Sequence, residues 1–326
     1  MPNPATSRSD AALVHDDRVG QAIDRLKSLH DADGGVAELV TLGALAIPAL
    51  SEVLFAREPS GLFQVRCRAV EALAALKAFS TIAQFLRMRR EIADPVERLG
   101  EDAVVNAAAR VIARLREPWV YELLAELARH SPLQGVLAGL GSFLRAESVP
   151  VFIDALEEDE LRLTAETILR GFGSKARTAL LAAAREPGED AHAANESDLR
   201  KRRSAIALLV DIGVPRRDWP RLRPLVDDAD HQIALLACEL GLKLGREKDQ
   251  KHIASRLKAI RPTACWIHRE RIDQLMESLK PSEDAQRSDA VTNLRGPRLP
   301  GGSCFSQPAI FGNVLGGGDP RHRPKG

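Results

Sequence analysis

Arg216, Arg217, Arg221 and Arg223 crowd around Trp219 within eight residues. Guanidinium groups beside an indole can hold a phosphate while the ring stacks on a base, or they can grip an acidic peptide. The same residues also describe a core tryptophan with a solvated basic rim, because aromatic side chains are mostly buried for their area. A second cationic set, Arg87, Arg89 and Arg90, ends a helical pattern. There the cations are either a partner surface or a solvated helix end that complements the helix dipole. The third, Arg200-Lys201-Arg202-Arg203, stands at a helix start, where the dipole repels positive charge. Those four require compensation, from Asp198 and neighbouring acids or from an acidic partner.

Reactive chemistry is sparser. The histidines His15, His30, His130, His192, His231, His252, His268 and His322 show no metal-ligand spacing, and no phosphate-binding glycine loop or G-x-S-x-G turn occurs. Gly316-Gly317-Gly318 falls in a segment without helical pattern and reads as flexible. Cys67, Cys238, Cys265 and Cys304 are scattered, which suggests neither a disulfide framework nor a zinc site. No catalytic, cofactor or metal-ligating residue is nominated, and no cofactor is expected.

The elements that must position the arginines are legible in the stretch Glu147–Ala183. Val149, Phe152, Ile153 and Leu156 make one apolar helix face; Leu161, Ala165, Ile168, Leu169 and Phe172 make a second, after an acidic turn Glu157–Glu160. Gly171 and Gly173 close that second helix, as a left-handed stop requires. Neither helix can bury its stripe alone, so such pairs must stack. A closing step recurs at Leu42-Gly43, Leu76-Lys77, Leu115-Arg116, Leu144-Arg145, Phe172-Gly173, Ile212-Gly213 and Leu244-Gly245, at intervals of 34, 39, 29, 28, 40 and 32 residues. An arginine three residues before an alanine recurs upstream, at Arg66, Arg162 and Arg202; Asn106 and Ala234 replace it in two other copies. The fold class is therefore all-α: an α-α superhelix, a solenoid of about seven helical hairpins.

ELRLTAETILRGFG and LRPLVDDADHQIALLACELGLKLG resemble the armadillo/HEAT-type repeats, specifically the bacterial, phycocyanobilin-lyase-like HEAT family, and the resemblance covers roughly Val36 to Leu279. It implies that Asp159, Asp230, Arg66 and Arg162 make stacking hydrogen bonds between repeats. It also leaves lyase-type and DNA-glycosylase-like activities as alternatives. HEAT-like hydroxylases that bind iron use repeated His-Glu pairs, and none occurs here. Repeat motifs specify a fold far better than a function.

Net charge is +1, divided as −7 over residues 1–197, +6 over 198–280 and +2 over 281–326. No global field draws nucleic acid or membrane, but front and rear of the array differ chemically. The first twenty residues carry no secretory pattern, no apolar run reaches membrane-spanning length, and a cytoplasmic location is expected. Residues 1–16 read as a flexible arm, 17–280 as the solenoid and 281–326 as a disordered tail. Within the solenoid, an N-terminal helix built on Val19, Ile23, Leu26 and Leu29 and a last helix from Ala264 to Leu279 cap the array. Glu91–Asp102 and Pro187–Ser197 are long linkers, and Phe305, Ile310, Phe311, Val314 and Leu315 give the tail an apolar patch. The expected function is a non-enzymatic scaffold or adaptor that binds a protein partner on a concave wall of second helices. The first alternative is nucleic-acid binding through the basic rear.

Overall fold

The computed structural model describes residues 17–28, 30–56, 63–88, 92–185 and 196–279, and among them there is helix and no strand. The opening helix, α1, occupies residues 17–26 and buries Val19, Ala22 and Leu26. Four hairpins follow: α2 (Ala32–Leu42) with α3 (Ile47–Phe55), α4 (Phe63–Ala75) with α5 (Phe79–Arg87), α6 (Pro95–Ile112) with α7 (Pro118–His130), and α8 (Gln134–Gly141) with α9 (Val149–Asp154). Three more complete the array: α10 (Asp159–Phe172) with α11 (Arg177–Arg185), α12 (Glu196–Ile212) with α13 (Trp219–Leu222) and a short 3₁₀ turn, and α14 (His231–Leu244) with α15 (Glu247–Ile260). A single helix, α16 (Trp266–Ser278), closes it. The described residues thus hold the seven hairpins expected.

The packing order makes this a solenoid. First helices touch in strict sequence, α2 on α4, then α6, α8, α10, α12, α14 and α16; second helices touch likewise, α3 on α5, α9 on α11 and α11 on α13. Each unit meets its neighbours, and one continuous apolar core runs through all of them. The contact unit ends at Leu279. The Leu29 position, the linker from Pro187 to Asn195, the arm and the tail with its apolar patch lie outside the described residues.

The recurring closing step has a backbone cause. Gly43, Lys77, Arg116, Leu144, Gly173 and Gly213 all have positive φ, and each terminates a first helix or its final 3₁₀ turn. In the fourth repeat the left-handed residue is Leu144 and not Arg145, one earlier than the marker suggested. Gly245, at φ −70°, lies outside the left-handed region altogether. At Gly43 and Gly173 ψ lies at −138° and −127°, beyond the left-handed helix well, where side chains are costly.

Three expectations need correction. The segment read as a linker from Glu91 to Asp102 is mostly helix: α6 begins at Pro95, because Asp94 accepts hydrogen bonds from Val96 N and Glu97 N and proline suits the first position. Ala32–Phe55 is long and apolar enough by length and composition to cross a membrane, contrary to the reading of the bare sequence. It is divided between α2 and α3 at Gly43, and its Leu39, Ala46, Leu50 and Leu54 are completely buried in the core. Finally, Arg162 pairs with Asp159 on its own helix, at 2.9 Å, where the resemblance implied a link between repeats.

Close stacking depends on small residues. A β-carbon on Gly135 would lie 2.4 Å from the Asn106 carbonyl oxygen, and one on Gly141 would lie 2.6 Å from Ile168. So α8 is pressed backbone-first between α6 and α10. At only eight residues it leaves a low point in the row of first helices.

Candidate functional site

Several arginines, some of them nominated by the sequence, rivet the array together. Arg216 donates to the Leu244 and Gly245 carbonyls at 3.0 and 3.1 Å and so satisfies the open end of α14 in the next repeat. Arg177 does the same for the Gly213 carbonyl at 3.2 Å, and Arg116 for that of Ser142. In each case an arginine just past the turn of one hairpin caps the first helix of the next. A second row works at the opposite edge. Arg66 donates to the Leu54 carbonyl at 2.9 Å and to Glu101 at 2.6 Å; Arg202 reaches the Ala184 carbonyl and Asp228; Arg256 reaches the Val226 and Asp228 carbonyls. Arg66 and Arg202 occupy the recurring position upstream of alanine. Asn106, which replaces arginine there, accepts from Gly135 N instead. The ladder is uneven, as the missing arginines implied.

Trp219 is buried, 5% exposed, and donates from its indole N–H to Asp249 at 3.3 Å. Its ring edge fills the space a β-carbon on Gly241 would need. The Arg246 backbone N–H holds the Asp249 carboxyl below its usual range, and the indole and Arg223 add to this. Arg223 approaches Asp249 Oδ1 at 3.0 Å as a charge contact without aligned hydrogen-bond geometry. The tryptophan is therefore core, and Arg216 and Arg223, half of its rim, are internal structure. Arg217 and Arg221 remain exposed with no ion-pair partner among the described residues.

The run from Arg200 to Arg203 is compensated from within the chain. Arg200 pairs with Asp159 at 2.7 Å, Lys201 with Glu157 at 2.9 Å, Arg202 with Asp228, and Arg203 with Asp230 at 2.7 Å and Glu196 at 3.2 Å. The acids belong largely to adjacent repeats; Asp198, the offset expected from sequence, is not among these partners. Burial works against the charge on Asp230, yet its hydrogen bonds from Arg203 and the Ile233 N–H bring its carboxyl below the ordinary value. Arg87 lies over the Trp119 ring at 5.8 Å. Arg89 and Arg90 fall outside the described residues.

Sequence reasoning missed what opens between the first helices. An apolar groove of about 490 Å³ lies between α8 and α10, walled by Leu144, Leu163, Ile168, Ala138 and Gly141. Leu163 is 71% exposed and Leu144 47% exposed. A smaller hollow of about 150 Å³, on the α6 side of α8, is lined by Arg110, Arg114 and Arg116 and by no acidic residue. Ala138 and Ser142 border both. A third, charged cleft of about 440 Å³ between α10 and α12 contains the Asp159, Arg200 and Arg203 network. The signal for the first groove was present in the sequence. Leu163 stands two residues from Leu161, hence about 200° around the helix from the buried stripe.

At Cys238 and Cys67 burial discourages thiol chemistry, pushing Cys238 up to about 12 and also raising Cys67. Among the described residues no group of three or more histidine, cysteine, aspartate or glutamate side chains is arranged to hold a metal ion.

No family model matches the chain, and no curated protein matches it. Among solved structures it is similar to the complex of CpcE and CpcF of phycocyanin lyase from Nostoc sp., with 19% identity over 80% of this chain and 94% of that one. The TM-score of 0.33 marks a loose likeness, and the fold stands on the packing order of the helices themselves.

Proposed function

We propose that this chain is a non-enzymatic scaffold of HEAT type that holds a protein partner. The observation that carries this reading is the exposed apolar groove between α8 and α10, set in an array whose repeats are tied together by its own arginines. A large apolar side chain such as Leu163, left 71% exposed beside a groove, has no structural duty of its own, and open apolar surface of this kind marks protein contact. The groove is open and lined chiefly by hydrocarbon, which suits a side chain from another protein better than an enclosed reaction. This reading puts the partner on the first helices, whereas the sequence alone pointed to a wall of second helices.

The test is affinity capture from a lysate of the source organism, with and without nuclease. A protein retained after nuclease treatment supports the scaffold, and a catch that disappears with nuclease refutes it. Nucleic-acid binding is the second reading, favoured by Arg217, Arg221, Lys251 and Lys258. These are exposed on the last two second-helix segments without ion-pair partners among the described residues. It requires DNA or RNA binding that weakens steeply with salt and is lost when those four are neutralised. A cytoplasmic setting belongs to the same proposal.

A further inference from the structure

The low point at α8 joins two surfaces of opposite character. On the α10 flank every wall residue of the groove is uncharged, and Leu144, Leu163 and Ile168 dominate it. On the α6 flank Arg110 and Arg114 stand one turn apart, both exposed and without an acidic partner among the described residues. Arg116 completes that hollow with its guanidinium anchored on the Ser142 carbonyl and over the Phe143 ring. Other arginines of the array are committed internally: Arg66, Arg200, Arg202, Arg203 and Arg223 all meet carboxylates of the chain. At α8, positive charge with no acidic partner among the described residues stands next to an apolar slot.

We propose that the α6–α8–α10 saddle is the docking site for an acidic amphipathic segment of the partner protein, a helix with a large apolar side chain flanked by glutamate or aspartate. The inference rests on the scaffold reading above and names the chemistry of its partner. The apolar side chain enters the groove beside Leu163, while the neighbouring carboxylates meet Arg110 and Arg114. Charge complementarity selects the occupant: a basic segment would place like charges together, and a neutral one would leave the arginines unanswered. The shape selects a helix, because side chains three and four apart project side by side, matching two adjacent hollows that share Ala138 and Ser142. Ala138, small and partly exposed on α8, raises no wall between the flanks.

The full chain is titrated against a fluorescein-labelled peptide about 16 residues long, some four turns, with leucines at helical spacing and glutamates on both flanks. Fluorescence polarisation reads the binding. Binding is expected to weaken at least tenfold in Leu163→Ser and in the double variant Arg110→Glu, Arg114→Glu. Arg217→Glu, placed on a second-helix segment, is expected to leave it within twofold. A peptide with lysine for glutamate, or serine for leucine, is expected not to bind. All substituted side chains are exposed, so the variants keep the fold, which circular dichroism verifies. Equal binding of the lysine peptide, or binding indifferent to both saddle variants, overturns the proposal. Affinity capture with the same proteins separates the two readings. A partner retained equally by the saddle variants sinks the saddle and leaves the scaffold standing; absence of any captured protein from the wild type sinks both.

Discussion

Replacing Gly135 by alanine adds a single methyl group where α8 meets α6. The new carbon would lie 2.4 Å from the Asn106 carbonyl oxygen and 2.6 Å from its Cα, against an ordinary contact of at least 3.4 Å. Because the obstacle is backbone, α8 has to withdraw by about 1 Å. That withdrawal also stretches the hydrogen bond from Gly135 N to Asn106 Oδ1, now 2.5 Å. Overpacking costs ~1–3 kcal/mol and a strained hydrogen bond ~0.5–1.5 kcal/mol. Alanine returns ~0.5–1 kcal/mol through helix propensity and a less disordered unfolded chain. The net expectation is a loss of about 1–3 kcal/mol. Urea denaturation followed by far-ultraviolet circular dichroism measures it. Gly20→Ala is the control: a β-carbon there meets nothing within 4 Å, so the same change should stabilise by ~0.5–1 kcal/mol. If Gly135→Ala behaves like Gly20→Ala, the first helices are not in backbone contact and the stacking argument fails.

Other expectations follow from the caps and charges. Lys77→Gly relieves a left-handed lysine at φ 60° and should stabilise by about 0.5–1 kcal/mol, whereas Gly173→Ala should destabilise by roughly 1–3 kcal/mol. Thermal melts of both variants read the opposite signs. Arg216→Ala uncovers two carbonyls of the next repeat and should cost about 1–2 kcal/mol. Arg217→Ala, exposed and unpaired among the described residues, should fall within ~0.5 kcal/mol of wild type. Asp230, Glu239 and Asp249 all have lowered carboxyl values, Glu239 through Arg271 and Lys243 acting against its burial. Their folded values lie below the unfolded ones, so their stabilisation is complete above about pH 4–5 and is lost as pH falls through the folded values. Urea midpoints should therefore be level from pH 7 to 5 and drop below 4. A midpoint that rises on acidification would contradict the assignments.

The fold was legible because its signals are local. Apolar stripes at helical spacing, the closing step of each first helix and the recurrent arginine lie within short windows, and each corresponds to a physical need. The start of α6 was hidden, since an Asp-Pro pair reads equally as a turn until Asp94 is seen accepting from two backbone N–H groups. The site was much less legible. Whether Arg200 or Arg216 is available depends on acids and carbonyls contributed by neighbouring repeats, some 28 to 43 positions away. No window of sequence contains that pairing. Leu163 shows the converse: its exposure follows from its own phase on α10, but the groove beside it exists because α8 is short and built from small residues.

Amide hydrogen exchange on the full chain, comparing wild type with Gly135→Ala, tests most directly whether packing stays local along the array. The substitution should accelerate exchange in α6 through α9 and leave α14 and α15 protected, because no substantial contact joins those two groups of helices. Equal acceleration in every helix would show one indivisible globular core and contradict the stacked array.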